Sequence, residues 1–267
     1  MPAAGRFRYL EAVPPPGVTR IRGTLVLLHA FPLTARMWEP QLALAEQGWR
    51  VIAPQLRGFD GADHELPASS IDDFAGDTID LLDGLQVREA VIGGLSMGGY
   101  VALAMFRHAP RYFQGLVLAD TRADADTPAT VEGRHRLLGV VRGRGAEGVA
   151  DEMIPKLLGE TTRAQRPEIA ERVRSLVMAN SSAAIAGAIT ALMTRPDSTP
   201  LLERVHCPTL ILVGDEDTVT PRPLSETLHA AIVGSTLARI PEAGHLSSLE
   251  QPTIFNDTVA RFLEQKL

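Results

Sequence analysis

The sequence contains one cysteine, Cys207, in 267 residues. No disulfide can form within the chain, and nothing in its cysteine usage argues for an oxidising compartment. A surplus of positive charge is also missing: 26 lysines and arginines stand against 32 aspartates and glutamates, a net charge of −6. Without a positive field to attract a phosphate backbone, nucleic acid is excluded as an expected partner. No apolar run approaches the roughly 18 residues that would span a bilayer, and Met1 to Arg8 has none of the apolar character of a secretory leader. These absences predict a cytoplasmic protein with no membrane partner. With 45% hydrophobic and 22% charged residues, the chain is neither disordered nor fibrous in composition and is long enough for one large core.

Short apolar runs alternate with longer amphipathic ones through the first half, the pattern of a parallel sheet wrapped by helices. Thr24–His29, Trp49–Ala53, Ala90–Gly94 and Leu116–Ala119 are the runs that predict strands. Helices are expected over about 35–47, from the capping-box pattern at Ser70–Asp73 to about Leu85, and over 97–108. From about Arg122 to Pro200 there is no comparable β run, and helical stretches recur near 131–141, 149–158, 168–178 and 183–193. Strand texture returns at Thr209–Val213 and Thr236–Ile240, followed by a helix over about 253–263. The expected organisation is an α/β core made of residues 1–121 and 201–267, with a helical cap of residues 122–200. A crevice between the two would hold a small ligand.

Gly94-Leu95-Ser96-Met97-Gly98 has the G-x-S-x-G form and falls where a strand ends and a helix begins. A serine on such a turn has its hydroxyl exposed on a strained backbone, and the flanking glycines let strand and helix approach. The hydroxyl is a weak nucleophile and needs a base. Of His29, His64, His108, His135, His206, His229 and His245, only His245 follows the last strand, where the chain order nucleophile, acid, base places it. Asp215, Glu216 and Asp217 lie just after the preceding strand, and any of the three could orient the imidazole. A tetrahedral oxyanion needs two donors, and the N–H groups of Met97 and Phe31 fit; Pro32, next to Phe31, has none to give. His29 is out of place as a base and is expected to bond its own loop.

Two features carry no chemistry. Gly143–Gly148 spells G-x-G-x-x-G but lies within the helical region with no strand after it, so it predicts a turn between cap helices. No histidine or cysteine stands at ligand spacing from Asp124, Asp126 or the 215–217 cluster, so no metal site is expected.

These residues together resemble the α/β-hydrolase superfamily over almost the whole chain. Leu28–Pro32, Gly94–Gly99 and Ala243–Pro252 resemble the 3-oxoadipate enol-lactonase group and its related carboxylesterases. The resemblance implies a mostly parallel sheet flanked by helices, with the cap inserted after the sixth strand. It also implies a serine triad with Asp217 as the acid, no cofactor, and a small-molecule ester or lactone as substrate. Three positions depart from the family pattern: Ala30 stands for the usual glycine of the His-Gly-x-Pro loop, and Gln55 and Asp60 for the first aspartate and last glycine of Asp-x-Arg-Gly-x-Gly. In the cap, Met153 and Leu157 are candidates to lay apolar surface over Ser96. Arg122 is a candidate anchor for a substrate carboxylate, its alternative being an ion pair with Asp124 or Asp126.

Overall fold

A computed structural model describes residues 3–4, 7–61, 68 and 70–267. The chain opens with β1 (Ala3–Ala4) and β2 (Phe7–Ala12), paired antiparallel. There follow β3 (Gly23–Leu28), β4 (Trp49–Pro54), β5 (Ala90–Leu95), β6 (Phe113–Ala119), β7 (Thr209–Gly214) and β8 (Thr236–Ile240). The order across the sheet is β1-β2-β4-β3-β5-β6-β7-β8; β2 runs antiparallel to β4, and every pairing from β4 to β8 is parallel. The six later strands fall where the apolar runs predict them. β2 has only Tyr9 buried, so its sequence carries too little apolar signal to announce a strand.

All residues of β5 and β7 are buried, as in a parallel sheet covered on both faces. The helices of the sheet region are α1 (Ile71–Gly84) and α2 (Met97–His108). Ser70 caps α1 as expected: its Oγ accepts from the Asp73 N–H (3.1 Å) and the Asp73 carboxylate accepts from the Ser70 N–H (2.9 Å). Such a cap is worth about 1 kcal/mol. The helix expected over 35–47 is present as Ala35–Gln47 and coils as a 3₁₀ run, because Pro40 inside it removes a backbone donor.

The cap enters after β6, the sixth strand. It contains α3 (Pro128–Leu157), α4 (Glu160–Gln165), α5 (Pro167–Met178) and α6 (Ser182–Thr194). The two helices expected over 131–141 and 149–158 form one run, α3, broken at Gly145, whose φ of 60° and ψ of −150° no α-helix contains. The G-x-G-x-x-G segment sits on this break, inside the cap. After β7 come α7 (Arg222–Ala231), α8 (Ser247–Glu250) and α9 (Pro252–Lys266). Among the described residues no single helix is long and apolar enough to cross a membrane; α5 and α6 reach that composition only as a pair bent by 95°.

Parallel strands that run the same way end at one edge of the sheet. The C-terminal ends of β3, β5, β6, β7 and β8 therefore deliver residues 29–32, Ser96, Asp120, 215–217 and 241–245 to the edge where the cap begins.

Candidate active site

Ser96 sits between β5 and α2 with φ of 55° and ψ of −115°, a left-handed conformation costly for a residue with a side chain. Close packing holds it there. A Cβ on Gly94 would collide with the backbone of Gly98 and Gly99, and one on Gly98 with the Leu28 carbonyl, so both positions admit only glycine. The Ser96 N–H donates to Ala119 O (3.0 Å), and the Thr121 hydroxyl donates to Ser96 O (2.8 Å). The turn is bolted to β6 on both sides of the serine, while Ser96 itself remains half-buried.

Its Oγ lies 2.8 Å from Nε2 of His245, whose Nδ1 lies 2.9 Å from Oδ2 of Asp217. A carboxylate can only accept, so Nδ1 carries the proton and Nε2 is left to accept from the serine hydroxyl. Asp217 has its remaining capacity filled. Oδ1 accepts the N–H groups of Val219 (2.8 Å) and Thr220 (3.0 Å), and Oδ2 accepts the Thr220 hydroxyl (2.6 Å). Burial on its own would raise the Asp217 pKa, but the charge of His245 and the bonds from His245 and Thr220 reverse this and hold it at about 2. His245 is also buried, which on its own would depress its pKa. The carboxylates of Asp217, Asp120 and Glu250 outweigh that, and the net direction is upward.

The other carboxylates of the cluster have different work. Asp215 forms an exposed pair with Arg239 (2.6 Å), and Glu216 accepts from the Thr161 N–H (2.9 Å) and hydroxyl. Sequence reasoning missed Asp120, fully buried at the end of β6, which accepts from Gly214 N (2.8 Å) and the Ser247 hydroxyl. Burial, and then the charge of Asp217, push its carboxyl well above the usual range. Its signal was a lone charge ending an otherwise apolar strand. Thr220 and Glu250 were passed over as well, although both lie in motifs already singled out.

Met97 is the first residue of α2, where an N–H has no acceptor within the helix and the dipole favours negative charge. In the 29–32 loop the Ala30 carbonyl accepts from Leu33 N (2.9 Å) and faces His29 Nδ1 (3.1 Å). The far end of that peptide, the Phe31 N–H, points the opposite way. His29 thus bonds its loop, and burial lowers its pKa to about 4. His108 ends α2 beside Asp72 (2.7 Å), and His229 is on α7 against Ser235 (2.8 Å). His64 lies outside the described residues.

Arg122 pairs with Asp124 (2.8 Å) and donates to Ala125 O (3.1 Å). Asp126 is held by Arg195 (2.5 Å) and Arg134 (3.2 Å). Leu157 is fully buried and its carbonyl accepts the His245 N–H (2.9 Å), while Met153 is half-buried on α3.

A family model described as "Alpha/beta hydrolase family" matches residues 25–258. The 3-oxoadipate enol-lactonase 2 of Acinetobacter baylyi is 29% identical over 91% of this chain and 90% of its own length. A putative carbamate hydrolase of Variovorax paradoxus is 28% identical over 86% of this chain and 87% of its own. Among solved structures, a thermophilic esterase from Thermogutta terrifontis superposes with a TM-score of 0.90 at 35% identity, covering 97% of this chain and 93% of that one.

Proposed function

Because this chain belongs to the alpha/beta hydrolase family, we propose that it is a serine hydrolase, cleaving carboxylic esters or lactones of small molecules through an acyl-enzyme on Ser96. The observation that carries this reading is the unbroken line from Ser96 Oγ through His245 to Asp217, with distances of 2.8 and 2.9 Å. The similarity to an esterase and an enol-lactonase supports the choice of bond.

In this reading Ser96 attacks the substrate carbonyl as His245 Nε2 takes its proton. The imidazolium so formed is stabilised by Asp217, already ionised because its pKa is held at about 2. The N–H groups of Met97 and Phe31 receive the developing oxyanion, each donor contributing roughly 3 kcal/mol to the transition state. His245 returns the proton to the departing alkoxide, then activates the water that clears the acyl group. In this reading the cap supplies the walls of the acyl site, and Leu157, whose carbonyl accepts the His245 N–H, and Met153, one turn earlier on α3, are the candidates to line it. Arg122 takes the structural role, its Nη2 pairing with Asp124 and donating to Ala125 O.

A fluorophosphonate probe and a panel of p-nitrophenyl esters run beside several lactones test the proposal. Rapid labelling of Ser96 with turnover of short esters or lactones is expected. Labelling with no turnover anywhere in the panel would replace the enzyme by a ligand-binding receptor, and no labelling would remove the serine mechanism.

A further inference from the structure

Glu250 is a fully buried carboxylate that touches neither Ser96 nor Asp217 in any hydrogen bond, yet three backbone amides converge on it. Oε1 accepts the N–H groups of Gly244 (2.9 Å) and Leu246 (3.1 Å), the two neighbours of His245. Oε2 accepts the N–H of Gly159 (2.8 Å), in the turn between α3 and α4 of the cap. The amide between the first two, that of His245, donates to Leu157 O (2.9 Å) in the same cap turn. The backbone of His245 is therefore held by one side chain and one cap carbonyl.

The packing makes the same junction independently of hydrogen bonds. A Cβ on Gly159 would crowd the Gly244 amide, and a Cβ on Gly244 would collide with Gly159, so the two backbones lie directly against each other. Arg166, at the end of α4, donates to the carbonyls of Glu250 and Glu242. Thr161 bonds Glu216, the residue before Asp217.

We propose that Glu250 is a positioning residue for His245, and that through it the cap turn 157–161 is part of the support of the base. That end of the cap cannot lift away without releasing His245. The inference rests on the reading of His245 as the base.

A carboxylate offers acceptors at both oxygens, whereas an amide offers one. Glu250→Gln must turn its NH₂ toward either Gly159 N–H or the Gly244 and Leu246 pair, donor against donor. The substitution also removes one of the three carboxylates, with Asp217 and Asp120, that raise the His245 pKa; Thr220 is the neutral partner at Nδ1.

With p-nitrophenyl acetate, Glu250→Gln is expected to lower kcat about 10- to 100-fold through misplacement of the base, with KM nearly unchanged. The acid limb of kcat/KM moves to lower pH, a change that a merely structural residue would not cause. Hydrogen exchange on the wild-type chain gives a measurement that needs no variant: the amides of Gly159, Gly244, His245 and Leu246 are expected to open together, with one common protection. A folded Glu250→Gln protein with wild-type kcat and acid limb overturns the proposal. So does wild-type exchange in which Gly159 opens more than about tenfold more often than the three amides of the histidine loop. The exchange experiment involves no turnover, so its failure is separate from failure of the serine mechanism, which falls if Ser96→Ala stays active.

Discussion

Replacing Asp217 with asparagine tests the polar line at its least accessible member. Asp217 meets four donors: the Nδ1–H of His245 and the Thr220 hydroxyl at Oδ2, and the Val219 and Thr220 amides at Oδ1. An asparagine amide has one oxygen, so in either orientation its NH₂ faces two of these donors. Oriented to satisfy the backbone, it presents N–H to the imidazole and drives the proton to Nε2, where the Ser96 hydroxyl can no longer donate. An acid-to-amide change of this kind costs on the order of 10⁴ in kcat in a serine protease triad, and a loss of about 10³- to 10⁴-fold is expected here. Stability falls as well. A carboxyl held at about 2 rather than 3.8 contributes roughly 2 kcal/mol to folding at neutral pH. Because the folded value is the depressed one, that contribution is complete above about pH 4 and disappears as pH falls through 2. Asp215→Asn is the control: its pair with Arg239 is half exposed, and exposed pairs contribute about 0–1 kcal/mol. Initial rates on p-nitrophenyl acetate, with thermal melts of both variants at pH 7, make the comparison. An Asp217→Asn enzyme keeping more than a tenth of wild-type kcat, or an Asp215→Asn enzyme that is the more impaired, refutes the assignment.

Ser96→Ala is expected to lose about 10⁴- to 10⁶-fold in ester hydrolysis with little change in melting temperature, because the hydroxyl is half-buried and supports little packing; steady-state rates and a melt check both parts. kcat/KM should fall as pH drops through the pKa of His245, which must be neutral to accept a proton. The net effect of its carboxylate neighbours is upward, so the midpoint should lie above 6.5, and a profile flat to about pH 4.5 excludes His245 as the base. A covered site has finite length, so acyl chains of about C2 to C8 should be preferred, and robust hydrolysis of C12 esters would remove the closed pocket. Arg122→Ala should leave KM for a carboxylated lactone within about twofold, the ion pair with Asp124 being its main role; a tenfold rise in KM restores it as the substrate anchor.

The strands of the sheet centre and the G-x-S-x-G turn were legible because local pattern and tertiary role agree there. A run such as Thr209–Gly214 is apolar on both faces, and its burial follows from that alone. β2 was not legible, since its place depends on antiparallel pairing with β4 rather than on an apolar face. Nor could the sequence separate the carboxylates after β7. Asp215 and Asp217 are two residues apart on one loop, and only the return of Ile240–His245 across β7 decides that Arg239 meets the first and His245 the second. Asp120 and Glu250 escaped for a related reason. The partners of Asp120 lie 94 and 127 residues away in the chain, and the cap amide that Glu250 binds lies 91 away, separations at which no periodicity survives.

The two buried histidines of this edge differ in pKa direction, and the difference bears on how the chemistry is read. Among the described residues His29 has no carboxylate in its hydrogen-bond shell. Nε2 accepts from Leu56 N (3.2 Å) and faces the Gln55 amide nitrogen (3.4 Å), while Gln55 Oε1 accepts from Ala35 N (3.0 Å). Gln55, one of the three departures from the family pattern, therefore ties β4's end to both sides of the loop that carries Phe31. Being an uncharged donor, it suits an unprotonated imidazole, and burial is then free to push His29 down to about 4. His245, equally buried, is raised because Asp217 sits on its Nδ1. His29, held at about 4, stays neutral above about pH 5 while His245 is shifted upward, so protonating the base leaves the loop that presents the Phe31 N–H undisturbed.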